Sequence, residues 1–535
     1  MKEKITPENI WSEYQKGITY LTENNVYNTV KKNEDFFCGR HWEGMADNVN
    51  IAKPTMNILQ RIGKYQIAML SSNDVGISIK SLTGNQDENE RMKYISNEVK
   101  EVIEQDKIIE NARIAIRNAY VGGSCYMHQS FDPDYETGQD SKGKINNELV
   151  NCRRIIFGNP YSNNIQKQPY IMVILRQYVD QVKEEARDLG VSEDIIDNIR
   201  PDANNDYDND KGDKLVTVIL KYYKKKSKVQ EVQVITDEFG NQVETIVEKE
   251  VRSVWFTKST QHVLIKDETN LGYTRYPISR FGWDVREDSY LFDTPMTWNI
   301  VNQVFINKSY AYCHEYAFKS AFPKRIYDVA KMDLEDWDSA SDIGVAGADL
   351  MGKYLDFSKM PDFSNQIIEL IKTTESEMEK NMGVNDAALG NIKPDNASAI
   401  AQLQEAAAVP LEIQRSNYYE MWEDTIRNII DIMTMCYGIR QVVSEDGEVV
   451  VIDFDKLQGI NYKLNVDIGS SAPYSEIAQV NNLTSMLNAG QIDLSTFLDV
   501  YPEKFITGKD KLKEYADQQK QMQLMAAQMA NQQIG

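Results

Sequence analysis

The chain has 535 residues, with 59 Lys and Arg against 81 Asp and Glu, a formal net charge of −22. That balance excludes a protein whose main task is to hold nucleic acid by its phosphates, which needs clustered Lys and Arg; it leaves room for one past which nucleic acid slides. The 41% hydrophobic and 26% charged residues suit a folded protein of several domains, and no apolar run reaches the ~20 residues of a membrane span.

Residues 1 to 115 read as helical. Ile10, Trp11, Tyr14, Ile18 and Leu21 give one apolar face, Phe36, Phe37 and Trp42 mark a second element, and helical spacing returns over 54–70. A short strand follows at 75–79, then a polar turn at 84–90 and one long helix with Val99, Val102, Ile103, Ile108, Ile109, Ala112, Ile116 and Ala119 in register, closed by Gly122 and Gly123. Residues 124–290 read mainly as β, with runs at 171–175, 215–223, 229–236, 242–247 and 251–257 rich in β-branched and aromatic residues. Phe239-Gly240-Asn241 predicts a hairpin turn, 180–189 an inserted helix, and the acidic, Asn-rich 202–213 a surface loop without the Gly and Glu spacing of a calcium loop.

A long helix is expected over 291–322, with Pro295 in its first turn and Pro323 ending it. Strand-like ends at 325–329 and 353–357 enclose a helical or looped acidic patch, and another helix covers 362–382. The stretch 387–438 organises the chain: a Gly- and Pro-bearing loop feeds a helix of about 40 residues, ~60 Å long at 1.5 Å per residue. Asp395 or Asn396 suits its N-cap. Pro410 falls in mid-run and predicts a kink, after which Leu411, Tyr418, Trp422, Ile426, Ile429, Ile430 and Met433 keep helical spacing up to the stop at Tyr437-Gly438. A hairpin at 441–454, a strand at 462–468 and helices at 475–487, 493–499 and from 509 onward complete the reading. The fold class is therefore α+β.

Catalytic patterns do not emerge. There is no GxxxxGK[ST] loop, the four His form no HExxH pair, and Cys125-x-x-His128 lacks a second ligand pair for zinc. The five scattered Cys read as free thiols of a reducing compartment, and the first residues lack the apolar stretch of a secretory signal. A structural protein without cofactor or metal is expected.

The order of elements, together with FFCGRHW at 36–42, RFGWDVREDSYLFDTP at 280–295 and NDAALGNIKPDNASAIAQL at 385–403, resembles the portal proteins of tailed bacteriophages. His41 stands where glutamine is common in that family. The resemblance implies a ring of twelve copies at one capsid vertex, with an axial channel for double-stranded DNA during packaging and ejection and no ATPase site of its own. It implies a wing over 1–290, stem helices at 291–321 and 362–384, a clip at 322–361, a tunnel loop at 385–397, a kinked wing helix at 398–438, a wing β segment at 439–474 and a helical crown at 475–535. Implied partners are other copies of the chain, the terminase large subunit, the head–tail connector or adaptor, and the major capsid and scaffolding proteins; no membrane is implied, and the implied location is the virion, after assembly in the host cytoplasm. On this mapping the polar or basic residues expected at the bore are Asn391, Lys393, Asp395 and Asn396 in the tunnel loop, with Lys308, Lys319, Lys324 and Arg325 on the first stem helix and clip. Each of these basic residues also fits a solvated surface charge or an ion pair between copies, and Trp422, Ile426 and Ile430 fit a core. The competing reading is a non-viral structural or adaptor ring or bundle without a DNA channel.

Overall fold

A computed structural model of the chain describes residues 5–43, 52–71, 75–82, 86–139, 141–202, 214–236, 242–331, 342–345, 355–358, 364–384, 409–443, 449–457, 462–468, 480, 483–501, 512 and 515. It is an α+β fold. The N-terminal helices are α1 (Pro7–Glu23), α2 (Val26–Phe37) and α3 (Ile58–Ser71). Thr6 caps α1 by accepting the Asn9 N–H at 3.3 Å, with Pro7 at its first position. Strand β1 (Val75–Ser81) leads to α4 (Gln86–Gln105) and α5 (Ile108–Gly122). The sequence predicts one continuous helix here, but Lys107 takes a left-handed φ of 49° and breaks it. The apolar period carries across the break because both halves pack into the same core, so spacing alone does not reveal it.

Two sheets follow. Strands β2 (Ser124–Asp132), β3 (Lys144–Asn151) and β9 (Ile278–Gly282) form a three-stranded antiparallel sheet with β2 in the middle. Strands β4 (Ile155–Phe157), β5 (Tyr170–Tyr178), β6 (Leu215–Thr236), β7 (Gln242–Ser259) and β8 (Leu264–Asn270) form the other, in that order. The expected separate runs at 215–223 and 229–236 are one strand, as are 242–247 and 251–257, since the β6–β7 ladder continues from Ile219↔Ser259 to Thr236↔Gln242. The predicted hairpin tip and acidic loop, 237–241 and 203–213, lie outside the described residues. Helices α6 (Val179–Asp188) and α7 (Glu193–Ile196) sit within this region.

The short pair β10 (Asp284–Val285) and β11 (Phe292–Asp293) introduces the long helix α8 (Pro295–Ala321). Strands β12 (Arg325–Asp328), β13 (Asp342–Val345) and β14 (Leu355–Phe357) precede α9 (Asn365–Asn381). Strand β13 was not expected: the acidic patch is predicted as helical or looped, yet it pairs in parallel with β12. Four residues with a central glycine carry too weak a pattern to announce a strand. Helix α10 (Glu412–Cys436) follows a 3-10 turn at Val409–Leu411, and its stop is as predicted, with Tyr437 as cap and Gly438 at φ +59°. Pro410 lies in that 3-10 turn; the segment 398–408 that would form the other arm of a kink is outside the described residues. Strands β15 (Ile439–Val443) and β16 (Val449–Asp453) make the expected hairpin, and β17 (Tyr462–Ile468) pairs with β1.

Helix α10 lies on β9 and β2. Tyr418, Met421, Trp422, Ile426, Ile429 and Met433 are buried there, which bears out the core reading of Trp422, Ile426 and Ile430. Orientation comes from a buried polar seam. Gln129 donates to Asn147 Oδ1 at 2.9 Å and Ser279 Oγ at 3.3 Å, Asn428 donates to Gln129 Oε1 at 3.0 Å, and the Ser279 and Thr425 hydroxyls meet at 2.6 Å. Each group finds a partner only in this register, so the seam selects one placement of helix on sheet. The aromatic core gathers around Trp283, whose ring meets those of Tyr120 at 5.2 Å and Phe281 at 6.1 Å.

Gly123 joins α5 to β2 at φ +84°, and a Cβ there would lie 2.1 Å from the Phe292 carbonyl oxygen. Gly138, at φ +75°, has open space around the same position. Gly123→Ala is therefore expected to destabilise the protein by about 1–3 kcal/mol more than Gly138→Ala, as read from denaturant midpoints.

Candidate assembly site: the long helix pair and its tip

Helix α8 has a buried root and an exposed shaft. At the root, Thr294 accepts the Met296 N–H at 3.3 Å and donates to the Tyr120 carbonyl at 2.5 Å, while Pro295 occupies the first helical position, where no N–H is needed. Asn33 of α2 donates to Thr297 Oγ1 at 2.9 Å and the Val121 carbonyl at 2.7 Å. Nearly two turns further, Gln303 accepts the N–H groups of Ile58 at 3.0 Å and Leu59 at 3.3 Å, and donates to the Met56 carbonyl and to Asn307 Oδ1. Asn307 Oδ1 also accepts the Met56 N–H at 3.1 Å. The two amides thus satisfy the free N–H groups at the start of α3, which explains polar residues on the buried side of a largely apolar helix.

His41 completes this network, buried and stacked on Phe36 with ring centroids 4.7 Å apart. Its Nδ1 lies 2.6 Å from Asn307 Nδ2 and its Nε2 lies 2.8 Å from the Phe36 carbonyl. Asn307 Oδ1 is already used as an acceptor, so its NH₂ faces Nδ1, which must accept; Nε2 then carries the proton. The Asn307 amide needs an unprotonated Nδ1, so the ring is held neutral, and burial lowers the His41 pKa from its ordinary value.

Past the root, α8 is held chiefly by α9. Tyr310, Cys313, Tyr316 and Ala317 face Ile368, Ile371 and Lys372 across a groove. The upper end of α9 is tied to α3, where Arg61 pairs with Glu375 at 2.8 Å and Glu379 at 2.6 Å, and Gln66 donates to the Met382 carbonyl at 2.6 Å. The other side of α8 stands open: Trp298 is 62% exposed, Val301 72%, Tyr312 60% and Phe318 68%. Exposed apolar surface on this scale marks an interface.

At the far end, β12 is the centre of a three-stranded sheet, parallel to β13 and antiparallel to β14. The register Arg325↔Asp342 puts the two side chains together, joined by contacts of 2.6 and 2.8 Å with the Asp342 side chain fully buried. The sheet is clamped at its base, where Lys324 N–H donates to Ser358 Oγ at 2.9 Å and Ser358 N–H to the Lys324 carbonyl at 2.8 Å. Ile343, Val345, Phe357 and Phe322 are exposed there.

The structure divides the expected basic residues. Lys319 pairs with Glu315 at 2.7 Å and Arg325 with Asp342, whereas Lys308 and Lys324 are exposed. Asn391, Lys393, Asp395 and Asn396 lie outside the described residues. Cys125 and His128, three apart on β2, point to opposite faces: the thiol contacts the Val150 carbonyl at 3.7 Å and the imidazole the Tyr222 hydroxyl at 2.7 Å. Burial holds the His128 pKa down at about 4, so the two do not converge as ligands. Among the described residues no three of His, Cys, Asp and Glu are grouped as a metal site, and no helix is long and apolar enough to cross a membrane. The Gln303–Asn307–His41 network was missed in sequence; polar residues at spacing four on an apolar helix, Gln303 and Asn307, were the available signal.

With neutral His41 preferred by the fold, stability is complete above the ordinary histidine pKa. It falls as pH drops through that value, because the unfolded chain takes up a proton the folded one resists. The thermal midpoint is expected to fall between pH about 7.5 and about 5.5. His41→Gln, whose amide can accept from Asn307 and donate to Phe36, should show a shallower fall when both proteins are scanned side by side.

Comparison with known proteins bears on the whole chain. The family model described as "Phage P22-like portal protein" matches residues 13–534. Among solved structures, a chain of the "Virion of native gene transfer agent (GTA) particle" is similar at 11% identity and a TM-score of 0.38, covering 88% of this chain and 91% of that one. No curated protein matches. A match of that extent settles the family, and the chain belongs to the phage P22-like portal proteins.

Proposed function

We propose that the protein is the portal of a phage head: a ring of about twelve copies at one capsid vertex, through whose axial channel double-stranded DNA is packaged and ejected. The observation that carries the reading is the shaft of α8. It is 27 residues long, about 40 Å, and a chain that acted alone would not leave Trp298, Val301, Tyr312 and Phe318 in water. Neighbouring copies cover them. The helix pair α8 and α9 forms the stem, the β12–β14 sheet the clip, and residues 1–290 with 439–474 the wing around the α10 helix; 475–535 form the crown.

The terminase large subunit during packaging, and later the head–tail connector, dock on the exposed apolar residues of the clip, while the major capsid and scaffolding proteins surround the wing. The protein works as a structural element and not as an enzyme. The net charge of −22 keeps DNA residence short, since phosphates are repelled from an acidic wall. Lys324 at the clip base and Lys393 in the tunnel loop touch the backbone transiently, with Asn391, Asp395 and Asn396 beside Lys393. The tunnel loop, 385–397, checks DNA against slipping back.

Electron microscopy of the purified full chain, with native mass for copy number, is expected to show a ring with a bore near the ~20 Å width of duplex DNA; a closed oligomer without a bore would refute the channel. Deleting 391–396 should leave the ring intact and lower the yield of DNA-filled heads, and normal filling would refute the check.

A further inference from the structure

The open face of α8 has a counterpart on α9. Trp298, Val301, Phe305, Lys308 and Tyr312 follow one another at spacings of three and four, a single line down the helix. Lys308 is two residues from both Ile306 and Tyr310, so it points nearly opposite to the side that meets α9 of its own chain. No carboxylate lies within ion-pair distance of it among the described residues. On α9, Ile367, Leu370, Thr374 and Glu377 make a second line at the same spacing. Ile367 is 39% exposed and Leu370 52%. Glu377 contacts Lys380 at 2.9 Å, with both side chains more than half exposed, a pair that water or a better partner readily replaces.

The two helices run antiparallel, and the groove between them sets their relative height: residues 310–321 of α8 are level with 368–372 of α9. Matching the middles of the two stretches and carrying that register upward puts Tyr312 near the level of Thr374 and Lys308 near that of Glu377, to within about one helical turn, ~5 Å. Copies in a closed ring are related by rotation, and rotation about an axis along the stem leaves height unchanged. A cation on one copy therefore passes the carboxylate of its neighbour near the same level. We infer that the α8 line of one copy seats on the α9 line of the next. Lys308 then pairs with Glu377 across the joint, and Tyr312 packs against Leu370 and Thr374 below. The occupant of the open face is a second copy of this chain, and the contact rests on the ring reading above.

The test uses the full chain carrying Cys38→Ser and Cys313→Ser, with Lys308→Cys and Glu377→Cys added together or singly. A bis-maleimide of about 8 Å span bridges the pair, since a direct disulfide needs Cα atoms within about 7 Å. Rings verified by microscopy should give a ladder of dimers and higher species on a denaturing gel, and the chains carrying only one of the two added cysteines should give none. An intact ring without a ladder overturns the contact and leaves the ring reading standing. Cross-linking confined to single chains overturns it too, because Lys308 would then meet its own chain. Failure of the unmodified protein to form any ring overturns both. A charge exchange gives a second measurement: Lys308→Glu and Glu377→Lys should each lower the ring fraction several-fold, and the two together should restore it. A double variant no better than the poorer single one overturns the pairing.

Discussion

Everything distal in this protein depends on how the root of α8 is gripped. A helix that must leave the body and stand in solvent needs its direction set over its first turns. Apolar packing alone resists rotation and sliding poorly, because it is non-directional. Here amide side chains supply direction. Gln303 and Asn307 take the free N–H groups at the head of α3, Thr294 and Asn33 tie the first turn to the end of α5, and His41 closes the network from the turn after α2. Buried groups of this kind are costly when unpaired, so any tilt of the shaft that broke them would be opposed by several hydrogen bonds at once.

The body that supplies this grip is itself built on a second directional joint. Helix α10 lies across β9 and β2 with Gln129, Asn147, Ser279, Thr425 and Asn428 sealed between them. Nearby, the Asp431 carboxylate accepts the Thr274 N–H at 2.8 Å and the Arg275 N–H at 3.0 Å, and Arg275 reaches on to Asp424. Burial raises the Asp431 pKa, while these donors favour its charged form. Sheet, helix and the segment before β9 are thus held in one register. The two seams share a logic: an apolar interior provides the driving force, and a few buried polar contacts choose among the placements that force would allow.

The outer half of α8 and the β12–β14 sheet have the opposite character. Their apolar side chains are turned outward, and the ion pair of Arg325 with Asp342 holds only a small sheet together. Such a segment has too little area of its own to bury. Its sequence makes sense for a surface that is finished by other chains, which is why a protein with an acidic, well-solvated exterior still carries Trp298 and Phe318 in the open.

The sequence by itself determined the α+β class, the helices around 295–321 and 365–381, the core face of α10 and its stop at Gly438, because each rests on local periodicity or on a residue with a single conformational use. It also carried the family, through the order of short motifs along nearly the whole chain. Only the tertiary structure decided that Lys107 breaks the 86–122 helix in two, that 215–236 and 242–259 are unbroken strands, and that 342–345 pairs in parallel with 325–328. These depend on partners distant in the chain, which no local window contains. The same holds for the site. Lys308, Lys319, Lys324 and Arg325 look alike in sequence as basic residues on one stretch, and the fold alone separates Lys319 and Arg325, each committed to a carboxylate of its own chain, from Lys308 and Lys324 in solvent.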